Sequence, residues 1–233
     1  MAMKNQKRLS VTRLLTPVAL AVTLAACSTA PSTPTNVDIT LDPNQSMQTY
    51  LMRADSSEGS IQSDWLIMAL KAAIESNDIT QAELLIKRLG RQNLTQLQQA
   101  EWQLARADVL MKQEKYEEAL SKLNFKPSWN LADEQWKDYY QTRAKLLTQQ
   151  GQYFEAAREL TKSSEYVDQA EQEVIAQGVW TNLNQYSQYQ ITQFSAEPNE
   201  AILDGWLQLA IYTKTLSSNI PQLKNTLEQW LEE

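Results

Sequence analysis

Few side chains in this sequence could do acid-base or nucleophilic chemistry, because it contains no His and only one Cys, Cys27. Without an imidazole there can be no Ser-His-Asp triad, no Cys-His pair and no ordinary zinc site. Two pairs of adjacent carboxylates remain, Glu117-Glu118 and Asp133-Glu134. Neighbours on a helix point about 100° apart, so neither pair can flank one scissile bond. There is also no Gly-rich phosphate loop and no EF-hand pattern. We therefore expect no enzyme, no metal and no cofactor, and a binding function instead.

The one thiol follows a segment typical of an export signal. Basic residues precede an apolar run over 14–26, which is too short to cross the roughly 30 Å hydrocarbon core as a helix. The run ends in Leu24-Ala25-Ala26-Cys27, which resembles a bacterial lipobox, where the leader is removed and the Cys carries acyl chains. We predict a lipoprotein signal peptide over 1–26 and lipidation at Cys27. The alternative is an ordinary secretory signal with an incidental Cys.

Residues 27–46 are predicted to form the lipidated Cys and a flexible tether. This segment is rich in Ser, Thr, Asn and Asp and is punctuated by Pro31, Pro34 and Pro43, a composition that cannot bury enough apolar surface to fold. Three acyl chains exceed the two-signal threshold for stable membrane anchoring. Ser28 occupies the position where an inner-membrane retention signal would have Asp, which resembles lipoproteins sorted to the outer membrane. We expect an outer-membrane protein, lipid-anchored on the periplasmic face.

The net charge of the chain restricts its partners. The sequence has 21 basic and 28 acidic residues, and removal of 1–26 takes away four basic residues and no acidic ones. The mature body is thus more acidic than the full chain, whose net charge is −7. Such a surface is repelled by nucleic acid, by anionic lipid headgroups and by the acidic stem peptides of the cell wall, so any contact with these has to be local and specific. We therefore predict no nucleic-acid ligand, membrane contact only through the N-terminal lipid, no small-molecule substrate, and a protein partner.

The elements that would present a binding surface are all helical. Apolar residues over 47–233 recur at helical spacing, and alternating β-branched runs and hairpin turns are absent from the sequence. Turn signals at Asn77-Asp78, Glu114-Lys115 and Gly151-Gln152 are 37 residues apart. The same offset relates five columns of similar residues: Ala82, Ala119 and Ala156; Trp65, Trp102 and Tyr139; Ala73, Leu110 and Leu147; Ile79, Tyr116 and Tyr153; Ile86, Leu123 and Leu160.

This internal repeat predicts an all-α fold, an antiparallel helix-hairpin repeat solenoid. The second helix of each unit carries a small residue three positions after an aromatic or Ile, as in Tyr116 to Ala119, and this resembles the tetratricopeptide pattern. A small residue there lets two helices approach closely. The period lapses after Ser164, and the helical segments beyond it are expected to cap the stack. Glu197-Pro198 and Ile220-Pro221 predict helix starts, with Pro in the first turn.

A narrower resemblance covers nearly the whole mature chain. It rests on the lipobox followed in order by four segments: 49–51 (Thr-Tyr-Leu), 64–72 (Asp-Trp-Leu-Ile-Met-Ala-Leu-Lys-Ala), 174–183 around Trp180, and 203–209 (Leu-Asp-Gly-Trp-Leu-Gln-Leu). The chain resembles the N-terminal domain of the LpoA family of outer-membrane lipoproteins. The resemblance implies a tetratricopeptide-like stack in a protein that crosses the periplasm and activates a class A penicillin-binding protein.

In that family a further domain, similar to periplasmic substrate-binding proteins, follows and makes the activating contact. This sequence stops at Glu233 in the middle of an apolar helical pattern. We therefore expect residues 47–233 to form a tetratricopeptide-like helical repeat domain that is the N-terminal part of a longer protein.

Three residues are candidates for partner contact. Trp129 follows the loop Phe125-Lys126-Pro127-Ser128, where it could meet a ligand or close its own hairpin, and closure is favoured. Arg106 and Arg143 are related by the 37-residue offset and could receive an acidic peptide in a concave groove. Pairing with neighbouring Glu residues is the favoured alternative for both. The Trp65, Trp102 and Tyr139 column could stack on glycan strands, but its phase with the core columns favours packing between repeats.

These observations together predict a regulator of peptidoglycan synthesis that activates a class A penicillin-binding protein through protein-protein contact. The alternative is a generic tetratricopeptide adaptor lipoprotein that scaffolds an envelope complex, for outer-membrane assembly or for wall hydrolases. An enzyme of the lytic transglycosylase type is disfavoured, because no glycan-cleaving motif is found.

Overall fold

The computed structural model describes Asp42 and residues 45–232, with side chains as far as Ser218. The predicted signal peptide, Cys27 and most of the predicted tether lie outside these residues. The described part contains ten α-helices, one 3-10 turn and no strand, which confirms the all-α prediction. The helices are α1 (Met47–Asp55), α2 (Gly59–Glu75), α3 (Ile79–Leu89), α4 (Gln96–Lys112), α5 (Tyr116–Lys122), α6 (Asp133–Gln149), α7 (Tyr153–Ser163), α8 (Gln169–Leu183), α9 (Gln188–Ser195) and α10 (Ala201–Glu232), with the 3-10 turn at Ser164–Tyr166.

The first helix is fixed by contacts that begin before it. The Ser46 side chain caps α1 by accepting from the Thr49 amide at 3.2 Å, which satisfies a donor left unpaired at the helix start. The Tyr50 hydroxyl donates to the Asp42 carbonyl at 3.1 Å and accepts from the Asp42 amide at 3.0 Å. The last residues of the predicted tether thus contact the helical body.

Helix boundaries confirm the repeat. The first helices of three successive hairpins, α2, α4 and α6, begin at residues 59, 96 and 133, and the second helices, α3, α5 and α7, begin at 79, 116 and 153. Both series advance by 37 residues. Each hairpin therefore places equivalent side chains at equivalent positions in the stack.

The three hairpin turns share one backbone conformation. Asn77, Glu114 and Gly151 all have positive φ, at 58°, 60° and 71°. In each turn the next amide donates at 2.9 Å to the carbonyl five residues earlier: Asp78 to Ala73, Lys115 to Leu110, and Gln152 to Leu147. This is the Schellman ending, which satisfies carbonyls left unpaired at a helix C-terminus. The turn signals predicted from sequence are confirmed.

Small residues allow the helices of each hairpin to pack closely. Ala82, Ala119 and Ala156 are all fully buried. The Trp65, Trp102 and Tyr139 column packs against the apolar clusters, and the Trp102 indole donates to the Ile86 carbonyl at 3.2 Å. Packing between repeats, the favoured interpretation of this column, is confirmed.

The core forms three successive clusters along the chain. One joins α1 to α4 around Leu66, Ile67 and Leu70, a second joins α4 to α6 around Leu104 and Leu146, and a third joins α7 to α10. In the part of the chain with described helices, none combines the length and apolar character that a membrane span requires.

The stack continues beyond the point where the 37-residue period lapses. Helices α8 and α9 begin at 169 and 188, which is 36 and 35 residues after α6 and α7. A fixed offset of 37 residues does not identify α8 and α9 as a further hairpin, because the spacing between successive hairpins shortens here. Ile191 of α9 is fully buried in one cluster with Leu203 and Leu207 of α10. These helices cover the apolar end of the third hairpin, as expected for a cap.

Two predicted helix starts differ from the structure. Helix α10 begins at Ala201, so Pro198 precedes the helix and is not in its first turn. The start predicted at Ile220-Pro221 is wrong, because α10 runs without interruption from residue 201 to residue 232. Pro221 lies in the helix interior, where it lacks the amide that would donate to the preceding turn.

Glu114 is a side-chain-bearing residue in the left-handed region, which costs about 1–2 kcal/mol. We expect Glu114→Gly to raise the free energy of unfolding by about 0.5–1 kcal/mol, since relief of strain exceeds the added entropy of Gly in the unfolded chain. Urea denaturation followed by circular dichroism measures the change. Glu114→Gln removes the charge but keeps the strain, and should have no effect. An equal gain in both variants would show that charge, not backbone conformation, is responsible.

Candidate functional site

The first helices of the three hairpins line a concave groove. A cavity of about 490 Å³ lies along α2, α4 and α6. Its wall combines side chains from all three helices: Lys71, Ile74, Glu75, Glu101, Leu104, Ala105, Asp108, Glu134, Gln135, Asp138 and Thr142. Five of these residues are acidic and one, Lys71, is basic. We call this cavity the acidic half of the groove.

A repeated hydrogen bond builds this wall. Gln98 Nε2 donates to Asp64 Oδ1 at 2.6 Å, joining α4 to α2. One repeat later, Gln135 Nε2 donates to Glu101 Oε1 at 3.1 Å, joining α6 to α4. Both carboxylates are buried, with Asp64 5% and Glu101 4% exposed. Burial of a carboxylate is costly unless it is hydrogen-bonded or paired, so this bond stabilises the stack.

The third member of the series departs from this pattern. Asp138 follows Glu101 by 37 residues, and Gln172 follows Gln135 by the same offset. Helix α8 begins one residue earlier than the period requires, and Gln172 is exposed away from the groove. Asp138 and Gln172 are both described, and the hydrogen bond that would correspond to those of Asp64 and Glu101 does not form between them. Asp138 therefore remains at the groove surface without the amide that its two counterparts have.

The carboxyls of the groove repel one another. Burial raises the pKa of Asp138, and the negative charges of Glu101 and Glu134 raise it further. Burial also raises the pKa of Asp108, and Asp138 adds to that shift, while Lys145 opposes it. Within the lining, Lys71 pairs with Glu101 at 2.7 Å. The groove thus holds more negative charge than its own cations compensate.

The groove continues into an apolar half. A second cavity of about 500 Å³ shares Asp108 and Thr142 with the first and extends along α6 towards α8. Apolar side chains and one Gly contribute most of its further wall: Met111, Ala144, Leu160, Val174, Ile175 and Gly178. In this wall Val174 is 70% exposed, whereas the adjacent Ile175 is buried. A ligand lying along the groove would meet carboxylates first and apolar surface next.

The predicted contact residues lie outside the lining of both halves. The guanidinium of Arg106 stacks over Trp102 and that of Arg143 over Tyr139, each 5.4 Å from the ring centroid. Arg143 Nε also donates to Glu159 Oε2 at 2.9 Å, so this residue makes the intramolecular pair favoured from sequence. Arg106 and Arg143 are 37 residues apart, and they make equivalent stacking contacts in successive repeats.

Trp129 packs inside its own hairpin. Its ring lies 5.5 Å from Phe125, and it contacts the cluster that joins α4 to α6. Cys27, the predicted lipidation site, is outside the described residues. The roles of Trp129, Arg106 and Arg143 in partner contact stay predictions.

The two carboxylate pairs found in the sequence lie in different surroundings. Glu117 and Glu118 are both exposed on α5, whereas Glu134 lines the groove beside Asp138.

Within the described residues no cluster of acidic, Cys or His side chains has the arrangement of a metal site. Sequence reasoning missed the acidic groove, although the 37-residue offset that relates Asp64, Glu101 and Asp138 was available to find it.

A family model described as "LppC putative lipoprotein" matches residues 40–233, most of the chain. The chain belongs to the LppC family. Among its relatives, the penicillin-binding protein activator LpoA of Vibrio antiquarius is 59% identical over 231 residues, which is 99% of this chain and 38% of the relative. The protein of that name from Vibrio cholerae is 55% identical over 233 residues and is covered to 39%.

Solved structures of LppC relatives share the fold. The amino-terminal domain of E. coli LpoA superposes with a TM-score of 0.61 at 21% identity, covering 81% of this chain and 83% of that domain. Full-length LpoA from Haemophilus influenzae gives a TM-score of 0.58 at 23% identity over 82% of this chain and 35% of that protein. The chain spans about two fifths of the length of the Vibrio relatives. The recognition of the LpoA N-terminal domain and of its helical-repeat fold is confirmed.

Because burial and neighbouring carboxylates raise the folded-state pKa of Asp138, the folded protein binds its proton more tightly than the unfolded chain does. Stability therefore falls as pH rises from the ordinary value of 3.8 through the raised pKa. We expect Asp138→Asn to stabilise the protein at pH 7, with the gain vanishing at pH 3. Thermal unfolding across this pH range measures it. Glu118→Gln, outside the groove, should show no such gain, and a destabilised Asp138→Asn at pH 7 would contradict the assignment.

Proposed function

We propose that this chain is the N-terminal part of an outer-membrane lipoprotein that activates a class A penicillin-binding protein, and so regulates peptidoglycan synthesis, by protein-protein contact. The observation that carries the proposal is the 59% identity, across 99% of the chain, to proteins named penicillin-binding protein activators. Because the chain spans 38% of those relatives, their whole activity is not transferred by identity alone.

The helical stack supports a regulatory role. Schellman turns and close alanine contacts build the hairpins into one helical stack, and the described residues bring together no nucleophile and base. A lipid on Cys27 would hold this stack near the outer membrane. The predicted tether would then let its contact surface reach towards the wall. We infer that the protein acts by position and binding, without catalysis of its own.

The groove offers the contact surface. A partner segment that carries Lys or Arg followed by apolar residues would match its acidic and apolar halves in order. Complementary charge raises the association rate and selects among partners. A basic segment would also relieve the repulsion that raises the pKa of Asp108 and Asp138. We therefore assign the synthase contact of this domain to the groove.

The anchor is tested by Cys27→Ala. Without the sulfur no diacylglycerol can be attached, and we expect the variant to accumulate as an uncleaved or soluble periplasmic species. Fractionation of cells on a sucrose gradient, with the native chain in the outer-membrane fraction, measures the change. Ser28→Ala serves as the matched control, since it should leave lipidation intact. Unchanged outer-membrane fractionation of Cys27→Ala would contradict lipid anchoring.

Activation is tested with the mature protein encoded by the whole reading frame, beginning at residue 27 with Cys27→Ser so that no lipid is attached. We expect this protein to raise the cross-linked muropeptide fraction made by a purified class A synthase from lipid II, and to leave a class B transpeptidase unaffected. No change with the class A enzyme would contradict the proposal. A pull-down with this protein as bait separates the alternatives. Capture of a wall hydrolase in place of the synthase would favour the adaptor alternative.

The groove is tested in the same protein by the double variant Glu134→Gln and Asp138→Asn. We expect about a tenfold loss of affinity for the synthase and a shallower salt dependence, because two carboxylates of the contact are neutralised. The matched control is Glu117→Gln with Glu118→Gln, which removes the same charge from exposed positions on α5. Biolayer interferometry at several salt concentrations measures both. Equal affinities for the two double variants would exclude the groove as the contact.

A further inference from the structure

A third cavity, separate from the groove, lies between α6, α7 and the 3-10 turn. Its volume is about 430 Å³, and none of its lining residues lines either half of the groove. Five aromatic rings and three charged side chains form most of its wall: Phe125, Trp136, Tyr139, Tyr140, Tyr166, Arg143, Glu159 and Lys162. We call it the aromatic cavity. It matches the usual composition of ligand sites, in which aromatic surface is combined with a few fixed polar groups.

Three of these rings, Trp136, Tyr140 and Tyr166, lie nearly parallel and form one aromatic surface. The Trp136 centroid lies 6.1 Å from that of Tyr140 and 6.4 Å from that of Tyr166, and the two Tyr centroids are 5.8 Å apart. The ring planes lie within 28° of one another. Trp136 packs against the cluster that joins α4 to α6, whereas Tyr140 and Tyr166 belong to none of the three apolar clusters. All three rings are partly exposed.

Fixed polar groups surround these rings. Glu159 is only 7% exposed, and it holds Arg143 through the 2.9 Å bond from Nε. Lys162 lies 4.0 Å from Glu159 and 3.6 Å from Glu200. Among the charged residues of the lining, two are basic and one is acidic. Lys162 thus lies beside two carboxylates, and the two basic and two acidic groups at this edge of the aromatic cavity balance one another.

We propose that the aromatic cavity binds an amino-sugar glycan, the chemistry of the cell-wall strand. The apolar C–H face of a pyranose packs on an aromatic ring, and nearly parallel rings suit consecutive sugars of one strand. Hydroxyl and acetamido groups require donors and acceptors at the edges of the rings, which Arg143, Glu159 and the phenols supply.

The phenols are hydrogen-bond donors at neutral pH, as a phenol of ordinary pKa also is. Burial, followed by the neighbouring Tyr and Glu groups, raises the pKa of Tyr140 to about 12, and burial also raises the pKa of Tyr166. A nucleic-acid base could stack on such rings, but the acidic chain repels the phosphates of its strand, whereas an acetylated amino sugar is uncharged.

The choice of a wall glycan over other acetylated sugars rests on the envelope location in the proposed function; the stacking site itself does not. Isothermal titration of the mature chain tests it with three probes: a disaccharide-tetrapeptide from the wall, chitotetraose and cellotetraose. We expect the wall fragment and chitotetraose, which carry acetamido groups, to bind more tightly than cellotetraose, which carries none. Because no synthase is present, failure here is distinct from failure of activation. Absence of binding by all three probes, or tightest binding of cellotetraose, would overturn the proposal.

Variants locate the site. Tyr140→Ala is expected to weaken binding of the wall fragment about tenfold, because one stacking ring is lost. Tyr140→Phe keeps the ring and should retain most of the affinity, which guards against a folding defect in the Ala variant. Tyr189→Ala is the matched control, since Tyr189 is 73% exposed on α9. Equal losses in Tyr140→Ala and Tyr189→Ala would place binding elsewhere.

Discussion

The close approach of helices at the buried alanines is the constraint on which the rest of this structure depends. Ala82, Ala119 and Ala156 have no exposed surface, and a longer side chain at any of them would separate the helices of its hairpin. Three Schellman turns end the first helices at equivalent residues, so each alanine lies at the same position relative to the turn of its hairpin. A constant repeat follows from these two local features. The constant repeat, in turn, aligns the first helices into one groove.

Alignment also explains the charge of the groove. Asp64, Glu101 and Asp138 occupy one repeat position, and a Gln from the next repeat stabilises the first two. The period shortens before α8, so the third carboxylate lacks its amide and has a raised pKa. Carboxylates held close together destabilise a folded chain unless a cation joins them. The acidic half of the groove thus lies where the regular pattern of the stack is interrupted, as functional sites often do.

Sequence reasoning recovered what is local and periodic. The turns and the alanine column were predictable because each depends on residues close in the chain, and the caps followed from continued helical spacing. The helix pair α8 and α9 escaped a fixed offset of 37, since its spacing is 36 and 35 residues. The start at Pro221 was wrong because a Pro signal was given more weight than the apolar pattern around it.

The sites depend on contacts that the pattern does not encode. Arg143 meets Glu159 across a hairpin, and this pair decides that its guanidinium belongs to the aromatic cavity and not to the groove. Tyr166 reaches Tyr140 only because a 3-10 turn follows α7, which no helical period predicts. From the sequence, a groove that receives an acidic peptide through Arg106 and Arg143 was the less favoured interpretation, and pairing of these residues with neighbouring Glu residues was favoured. The carboxylates of the groove were visible in the sequence, but their common face required the three-dimensional stack.

The groove and the aromatic cavity share no lining residue, so occupation of one leaves the other open. The acidic groove suits a basic protein segment, whereas the aromatic cavity suits the apolar face of a sugar. Both surfaces lie on the same helical stack, so the separation of two bound ligands is set by the repeat and not by the residues that precede it. The spacing of the helices and the charge pattern of the groove are therefore the properties on which binding of both ligands depends.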